Sequence, residues 1–439
     1  MNNYNHPDLS KSFLSKEEIS KSFSRALTIE NLITDEDTAV IFYDLAHLNE
    51  RVINLKSLFP KTTVHAIAVK ANPLIKILRH LRQFGVALEV ASLPELFLAE
   101  KAGYSPEKIV FDSPSKTINE LEYALKKGVY INADSFSELD RIGAILQKIK
   151  SKSIIGVRIN PQIGHGSIKS TSVADIISKF GIPILNHKNK LIEYFLKYDW
   201  LQGVHVHIGS QGCGVQLIID GIKRVYDFTR EANNALMKNA HNHKITIFNI
   251  GGGLAVSYEK DKLPVSMYEY HKLLNESIPE LFSNEFKLIT EFGRYIHANT
   301  AWAASKVEYV KRENDYTIIM THVGADFLLR KSYNPEDWHH EITLVDKNGN
   351  LKSGKDINKY IIAGPLCFAG DIIAKDIELP YVEEGDYIII HDIGAYTLSM
   401  WSRYNSRQIP KVIGYEGFSG QYKILKERES NQDILNFWS

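Results

Sequence analysis

Short apolar runs alternate with amphipathic stretches from residue 38 to about residue 293. The first run is "TAVIFYD" (38–44), and more follow at "VHAIAVK" (64–70), "ALEVAS" (87–92), "KIVFD" (108–112) and "VYINAD" (129–134). The series continues with "IIGVRIN" (154–160), "LQGVHVHIG" (201–209), "KITIFNIGG" (244–252) and "FKLITEFG" (286–293). Apolar runs of this length, bounded by turn residues, read as strands. The stretches between them carry helix punctuation. "TINELEYALKKG" opens on Thr117 with Glu120 as a capping box and stops at Gly128. "SFSELDRIGAILQKIK" repeats the device with Ser135 and Glu138, and "LPELFLAEKAG" places Pro94 in its first turn and Gly103 at its end. Alternating strands and helices predict parallel pairing, and about eight such units over about 250 residues match a (β/α)8 barrel. An open, doubly wound sheet is the competing arrangement.

From about residue 300 the pattern changes. "ASKVEYVKREN", "DYTIIMTHV", "KYIIAG" and "DYIIIHDIGAY" are strand-like and separated by turn-rich segments. The expected fold class is therefore α/β: a TIM-like barrel over 38–299 and a C-terminal mainly β domain, a β-sandwich or β-barrel, over 300–439. Residues 1–37 are a candidate addition to the second domain. A chain of 439 residues exceeds one ordinary core, which agrees with two domains. Lys+Arg and Asp+Glu are both 52, so no basic or acidic excess points to nucleic acid or a membrane surface. Only Cys213 and Cys367 occur, which excludes a disulfide framework and suits a reducing compartment. "MNNYNHPDLSKSFLSKEEIS" lacks an apolar core of signal-peptide length, so a cytoplasmic protein is expected.

In a barrel, active sites form at the C-terminal ends of the strands. Lys70, Glu89, Arg158, His205, His207, Gly251, Gly252, Gly253, Glu291 and Arg294 all fall at or near such ends. Lys70 alone is consistent with a lysine that snorkels to water; held in a semi-buried site, its amine can form a Schiff base. "NIGGGL" (249–254) makes a tight turn or lets backbone N–H groups approach a phosphate. "EFGRY" (291–295) is a local ion pair, or it assigns Arg294 to phosphate and Glu291 to a ring nitrogen. "HVHIGSQ" (205–211) holds core histidines, or it stacks His207 on an aromatic cofactor with Ser210 at phosphate. Cys367 in "GPLCFAGD" is a small hydrophobe or a reagent, and "GAYTLSM" (394–400) by itself reads as an ordinary strand. No histidine spacing gives a standard zinc pattern, and no metal is expected.

"AVKAN", "VRINP", "SKFGI", "HIGSQ", "IGGG", "EFGRY", "GPLCFAGD" and "GAYT" appear in that order between Tyr43-Asp44 and Tyr404-Asn405. Together they resemble the pyridoxal-phosphate decarboxylases of the diaminopimelate, ornithine and arginine type, which have the alanine-racemase-like fold. "VRINP" and "SKFGI" lean towards the diaminopimelate branch. The resemblance implies decarboxylation of a small amino-acid substrate with pyridoxal 5'-phosphate as cofactor, in a homodimer with shared active sites. It makes Lys70 the Schiff-base lysine, His207 the residue stacked on the cofactor, and Glu291 the acid paired with the pyridinium nitrogen. Ser210, Gly253, Arg294 and Tyr396 match phosphate-binding positions, and Glu89, Arg158, Gly251, Gly252 and Gly293 complete the implied cofactor site. Cys367 is implied to reach the partner subunit's site and help protonate the product carbon. Arg330 and Tyr333, in "GADFLLRKSY" (324–333), are similar to residues that hold the substrate's distal carboxylate.

Three departures stand out: Phe292 replaces the family's proline, Asn249 its aspartate, and Phe368 the acid that meets the substrate's far amino group. Phe368 makes a substituted diamino acid, carboxynorspermidine-like or from a siderophore or other secondary metabolite, an alternative substrate. A catalytically inactive binding protein is an alternative of another class.

Overall fold

The structure, a computed structural model, describes residues 14–259, 262–417 and 419–439; the reading of the polar lead-in over 1–13 lies outside them. The chain forms two compact units. Among the described residues the first comprises 52–256 and 264–295, and the second comprises the remainder. The chain opens with α1 (Lys16–Thr28), β1 (Ala39–Asp44) and α2 (Leu45–Leu58).

The first unit contains β2 (Val64–Ala68), β3 (Ala87–Val90), β4 (Ile109–Asp112), β5 (Tyr130–Ala133) and β6 (Ile155–Asn160). The short β7 (Ile182–Pro183) pairs only with β6, and β8 (Leu201–His205), β9 (Ile247–Asn249) and β10 (Lys287–Thr290) follow. All pairings are parallel, and contacts of β5 with β6 and of β10 with β2 close eight of these strands into a barrel. The eight runs from "VHAIAVK" to "FKLITEFG" are these eight strands, and the open-sheet alternative is excluded by the closure.

The inside of the barrel is packed rather than hollow. Ala66, Ala87, Val110, Tyr130, Ile247 and Ile289 form one buried cluster. Tyr130 fits because its strand neighbours lack side chains: a Cβ on Gly156 or Gly203 would lie 2.5 or 2.7 Å from the Tyr130 hydroxyl oxygen.

Local signals act as read, with one exception. Thr117 and Glu120 form a full capping box, and Gly128 ends that helix in the left-handed conformation at φ 88°. Ser135 caps its helix through the Glu138 N–H. The Glu138 carboxylate, however, accepts the Asp134 N–H at 2.8 Å and pairs with Lys116 at 2.8 Å, so this box is only half formed. The buried Lys116 ammonium draws the carboxylate away.

In the second unit, β1 lies between β11 (Ala301–Lys306), antiparallel, and β18 (Lys411–Tyr415), parallel. The run at 38–44 is thus a strand, but it belongs to this six-stranded sheet, with the barrel starting at β2. β14 (Ile342–Val345), β17 (Tyr387–Ile390) and β19 (Tyr422–Lys426) complete that sheet. A four-stranded sheet holds β12 (Tyr309–Arg312), β13 (Thr317–Met320), β15 (Ile357–Ala363) and β16 (Ile372–Pro380). α1 lays Ile19, Phe23 and Ala26 on the larger sheet, at the i, i+4, i+7 spacing of an amphipathic helix. There Phe42 stacks on Trp302 at 4.0 Å, and the Trp302 indole donates to the Tyr415 hydroxyl at 3.0 Å. Residues 394–400 are not a strand: φ of +57° at Asp392 and +59° at Tyr396 turns the chain. Among the described residues no helix is long and apolar enough to cross a membrane.

Candidate active site

β2 ends at Ala68, two residues before Lys70, and the chain enters a single 3₁₀ turn over Val69–Ala71. Val69 and Ala71 are buried, which anchors the turn, while the Lys70 side chain stays partly exposed. Its Nζ lies 2.7 Å from both carboxylate oxygens of Glu89, a fully buried residue on β3. Burial pushes the Glu89 carboxyl up; Lys70 opposes this, while Glu291 and Asp112 add to it, and the balance stays raised. Glu89 is therefore placed to take a proton from the Lys70 amine. Lys116, by contrast, is spent on the carbonyls of Ser113 and Asn132 and on Glu138.

Glu291 follows β10 and is buried. Asn249, at the end of β9, donates to its Oε1 at 2.6 Å. The amide cannot be reversed, because Asn249 Oδ1 accepts the Gly251 N–H at 2.9 Å. On the other side, His205 Nε2 lies 3.3 Å from Glu291 Oε2, and His205 Nδ1 lies 3.5 Å from Asp112 Oδ1. Asp112 also meets Arg158 at 3.3 Å, and the Arg158 guanidinium lies 4.5 Å from the centre of the Phe180 ring. Burial alone would raise Glu291 and Asp112, but His205 holds both below their usual values, with Arg158 assisting at Asp112. Asp112, His205 and Glu291 offer donors within 4.8 Å of one another, a spacing compatible with a metal ion. The two carboxylates face the His205 imidazole from either side, and Arg158 adds a cation at Asp112.

The two histidines in "HVHIGSQ" differ in role. His207 lies just past β8, and its Nδ1 accepts the Gly252 N–H at 3.1 Å. Burial, then the charges of Arg158 and Lys70, push it down to about 3, so it is neutral with its proton on Nε2. The glycine loop needs its glycines. Gly253 has φ +105°, and a Cβ there would sit 2.2 Å from the Gly209 carbonyl oxygen; one on Gly252 would sit 2.3 Å from that of Glu291. A Cβ on Gly293 would lie 2.9 and 3.0 Å from the Ala68 and Ala71 methyls, beside the Lys70 turn. Next to this loop, Arg294 Nε donates to Ser210 Oγ at 3.2 Å. Phe292 is buried against Tyr270 and Tyr295, so the residue that replaces proline is a core anchor.

The barrel thus brings together Lys70, Glu89, Arg158, His207, Ser210, Gly251, Gly252, Gly253, Glu291, Gly293 and Arg294. Asp112 joins them unforeseen, though it ends "KIVFD" and the strand-end rule would have found it. The other predicted residues lie in the second unit. There the Arg330 guanidinium sits 4.6 Å from the Tyr396 ring centre and 4.9 Å from that of Trp338. Tyr333 and Phe368, both exposed, stack at 6.0 Å. The exposed Cys367 has its N–H held by Asn405 at 2.8 Å and its carbonyl by the Tyr404 hydroxyl at 2.9 Å.

A site with a paired amine, buried carboxylates, a glycine cradle and an arginine–serine pair fits pyridoxal phosphate. Residues 45–298 match the family described as pyridoxal-dependent decarboxylase, pyridoxal binding domain. A diaminopimelate decarboxylase of Helicobacter pylori is 30% identical over 413 residues, covering 92% of this chain and 96% of that protein. One from Aquifex aeolicus is 29% identical, covering 94% of each. The crystal structure of the Helicobacter pylori diaminopimelate decarboxylase complexed with L-lysine has TM-score 0.81 and 28% identity, covering 93% of this chain and 98% of that one. The chain belongs to the pyridoxal-dependent decarboxylases and is a pyridoxal-phosphate-dependent amino-acid decarboxylase.

Proposed function

We propose that Lys70 is the attachment point of the cofactor and that the enzyme removes the α-carboxylate of an amino acid carrying a polar distal end. The carrying observation is the convergence of Lys70–Glu89, Glu291 and Arg294–Ser210 on the C-terminal ends of one barrel. Bound pyridoxal phosphate supplies the electron sink for the charge left at Cα when carbon dioxide departs. The protein's share is to place protons. Glu89 accepts one from Lys70 Nζ, leaving a nucleophilic amine. Glu291 holds one on the ring nitrogen, because an adjacent anion favours the charged pyridinium. His207 offers a neutral, oriented ring face, and Ser210, Arg294 and the N–H of Gly253 take the phosphate. Cys367 is proposed to serve the partner subunit's site in a homodimer. Two free cysteines, one buried and one exposed, support a reducing compartment.

The diaminopimelate decarboxylases among the relatives make meso-diaminopimelate the first candidate substrate. The Phe368–Tyr333 stack supports a second reading. An aromatic residue where the resemblance places an acid cannot accept a hydrogen bond from a distal ammonium, so an N-substituted or otherwise altered diamino acid fits better. Carbon-dioxide release from purified enzyme over a panel of diamino acids and their N-substituted derivatives tests both. Turnover of meso-diaminopimelate well above every derivative supports the first reading and sinks the second. No release from any amino acid, with no bound cofactor, sinks both.

A further inference from the structure

Both ring nitrogens of His205 face carboxylates, and its side chain is fully buried. Neither nitrogen makes a hydrogen bond of ordinary geometry among the described residues, so the two carboxylates are the polar groups they face. A neutral imidazole carries one N–H and one lone pair, so it would set a lone pair against one of the two carboxylates. The arrangement is satisfied only if His205 carries both protons or one carboxylate is protonated. The partners disfavour the second option: Arg158 pairs with Asp112, and Asn249, whose orientation Gly251 fixes, donates to Glu291 Oε1, and both contacts stabilise the anionic forms. Two anions, Asp112 and Glu291, then stand against two cations, His205 and Arg158.

We infer that His205 is a standing imidazolium locked between Asp112 and Glu291, and that with Asn249 it acts as a positioning residue that keeps Glu291 an anion. The other charged or titratable groups around the cluster come from neighbouring strands: Glu89 on β3, Tyr130 on β5, Arg158 on β6, Lys70 after β2 and His207 after β8. Burial works against a charged imidazole, but the two facing carboxylates outweigh it and raise His205 to about 9. His207, two residues on, faces a backbone N–H and stays neutral. A neutral residue at 205 would leave two buried anions without the cation between them, and one of them would take up a proton. The inference rests on the reading of Glu291 as the partner of the ring nitrogen.

The test uses holoenzyme labelled with ¹⁵N in its histidine rings. The expected result is one histidine with both ring nitrogens protonated and shifts that do not move between pH 6 and about 8, absent from His205→Gln. A neutral tautomer at His205 in that range overturns the inference. The Asp112→Asn holoenzyme is expected to make that signal titrate within the same range, which keeps the test decisive if His205→Gln fails to fold. In His205→Gln, kcat is expected to fall about tenfold or more with KM little changed and the cofactor band still present. A wild-type kcat overturns the positioning role. A wild-type protein with no cofactor band overturns the reading of Glu291 while leaving the charge of His205 to be read from the nitrogen shifts.

Discussion

Gly253→Ala tests whether the glycine loop is shaped by backbone contact, and Gly85→Ala calibrates it. Both residues have positive φ, +105° and +70°, but a Cβ at Gly85 meets nothing within 4 Å. Gly85→Ala should therefore cost only the left-handed backbone penalty, about 1–2 kcal/mol. At Gly253 the added carbon would sit 2.2 Å from the Gly209 carbonyl oxygen, a backbone atom that cannot rotate away. An ordinary carbon–oxygen contact is about 3.3 Å, so the loop must open by roughly 1 Å. Overpacking of this kind adds about 1–3 kcal/mol, for a total of about 2–5 kcal/mol. If the loop relaxes instead, the displacement reaches Gly252, His207 and Ser210, and a shift of about 1 Å at such a site costs about 100-fold in rate. Urea unfolding gives the stability of each variant, and a cofactor titration with steady-state carbon-dioxide release gives its function. Gly85→Ala should lose stability and keep function; Gly253→Ala should lose more stability, or function, or both. A Gly253→Ala enzyme equal to wild type in stability, cofactor affinity and rate would refute the reasoning.

Glu291→Gln should retain cofactor but lose about 10²–10³-fold in kcat, measured by carbon-dioxide release, and a full rate would remove Glu291 from its assigned role. Three buried histidines and the partly buried His207 are held neutral, His47, His207 and His297 near 3 and His65 near 4. Their pKa values are depressed, so the stability they contribute is present above about 6.5 and is lost as pH falls towards 4, by about 2 kcal/mol each at pH 5. Asp134 and Asp326, raised to about 6, and Glu89, raised to about 8, take up protons in the folded state and offset part of this. The urea midpoint of apoprotein should therefore be lower at pH 5 than at pH 7; an equal or higher midpoint contradicts the burial of neutral imidazoles. Phe368→Glu should raise kcat/KM for diamino acids with a free distal ammonium by about tenfold. No gain over wild type on such substrates would show that position 368 does not read the distal group.

The barrel was legible because each of its strands is an apolar run with its own helix punctuation, such as Thr117, Glu120 and Gly128. Lys70 was placed at the right end of the right strand, yet its 3₁₀ turn was not visible, since Val69 and Ala71 continue the apolar pattern of β2. In the second unit β14, β16, β18 and β19 were missed. β16 alternates charged and apolar residues, with Lys375, Asp376 and Glu378 exposed, and a short strand such as β14 has too few residues to show a period. The site's electrostatics were the least legible part. In the sequence His205 is a strand-end residue that reads equally as a core histidine, and Asn249 is a departure from the family's aspartate. Their meaning depends on closure of the barrel, which brings residues from β4, β8, β9 and the end of β10 into one cluster.

The central claim, that Lys70 carries the cofactor of a decarboxylase, is tested most directly by borohydride reduction of holoenzyme followed by peptide mapping. A phosphopyridoxyl group is expected on the peptide containing Lys70, none on Lys116, with loss of carbon-dioxide release in proportion to labelling. A label confined to another lysine, or activity that survives complete labelling of Lys70, would contradict it.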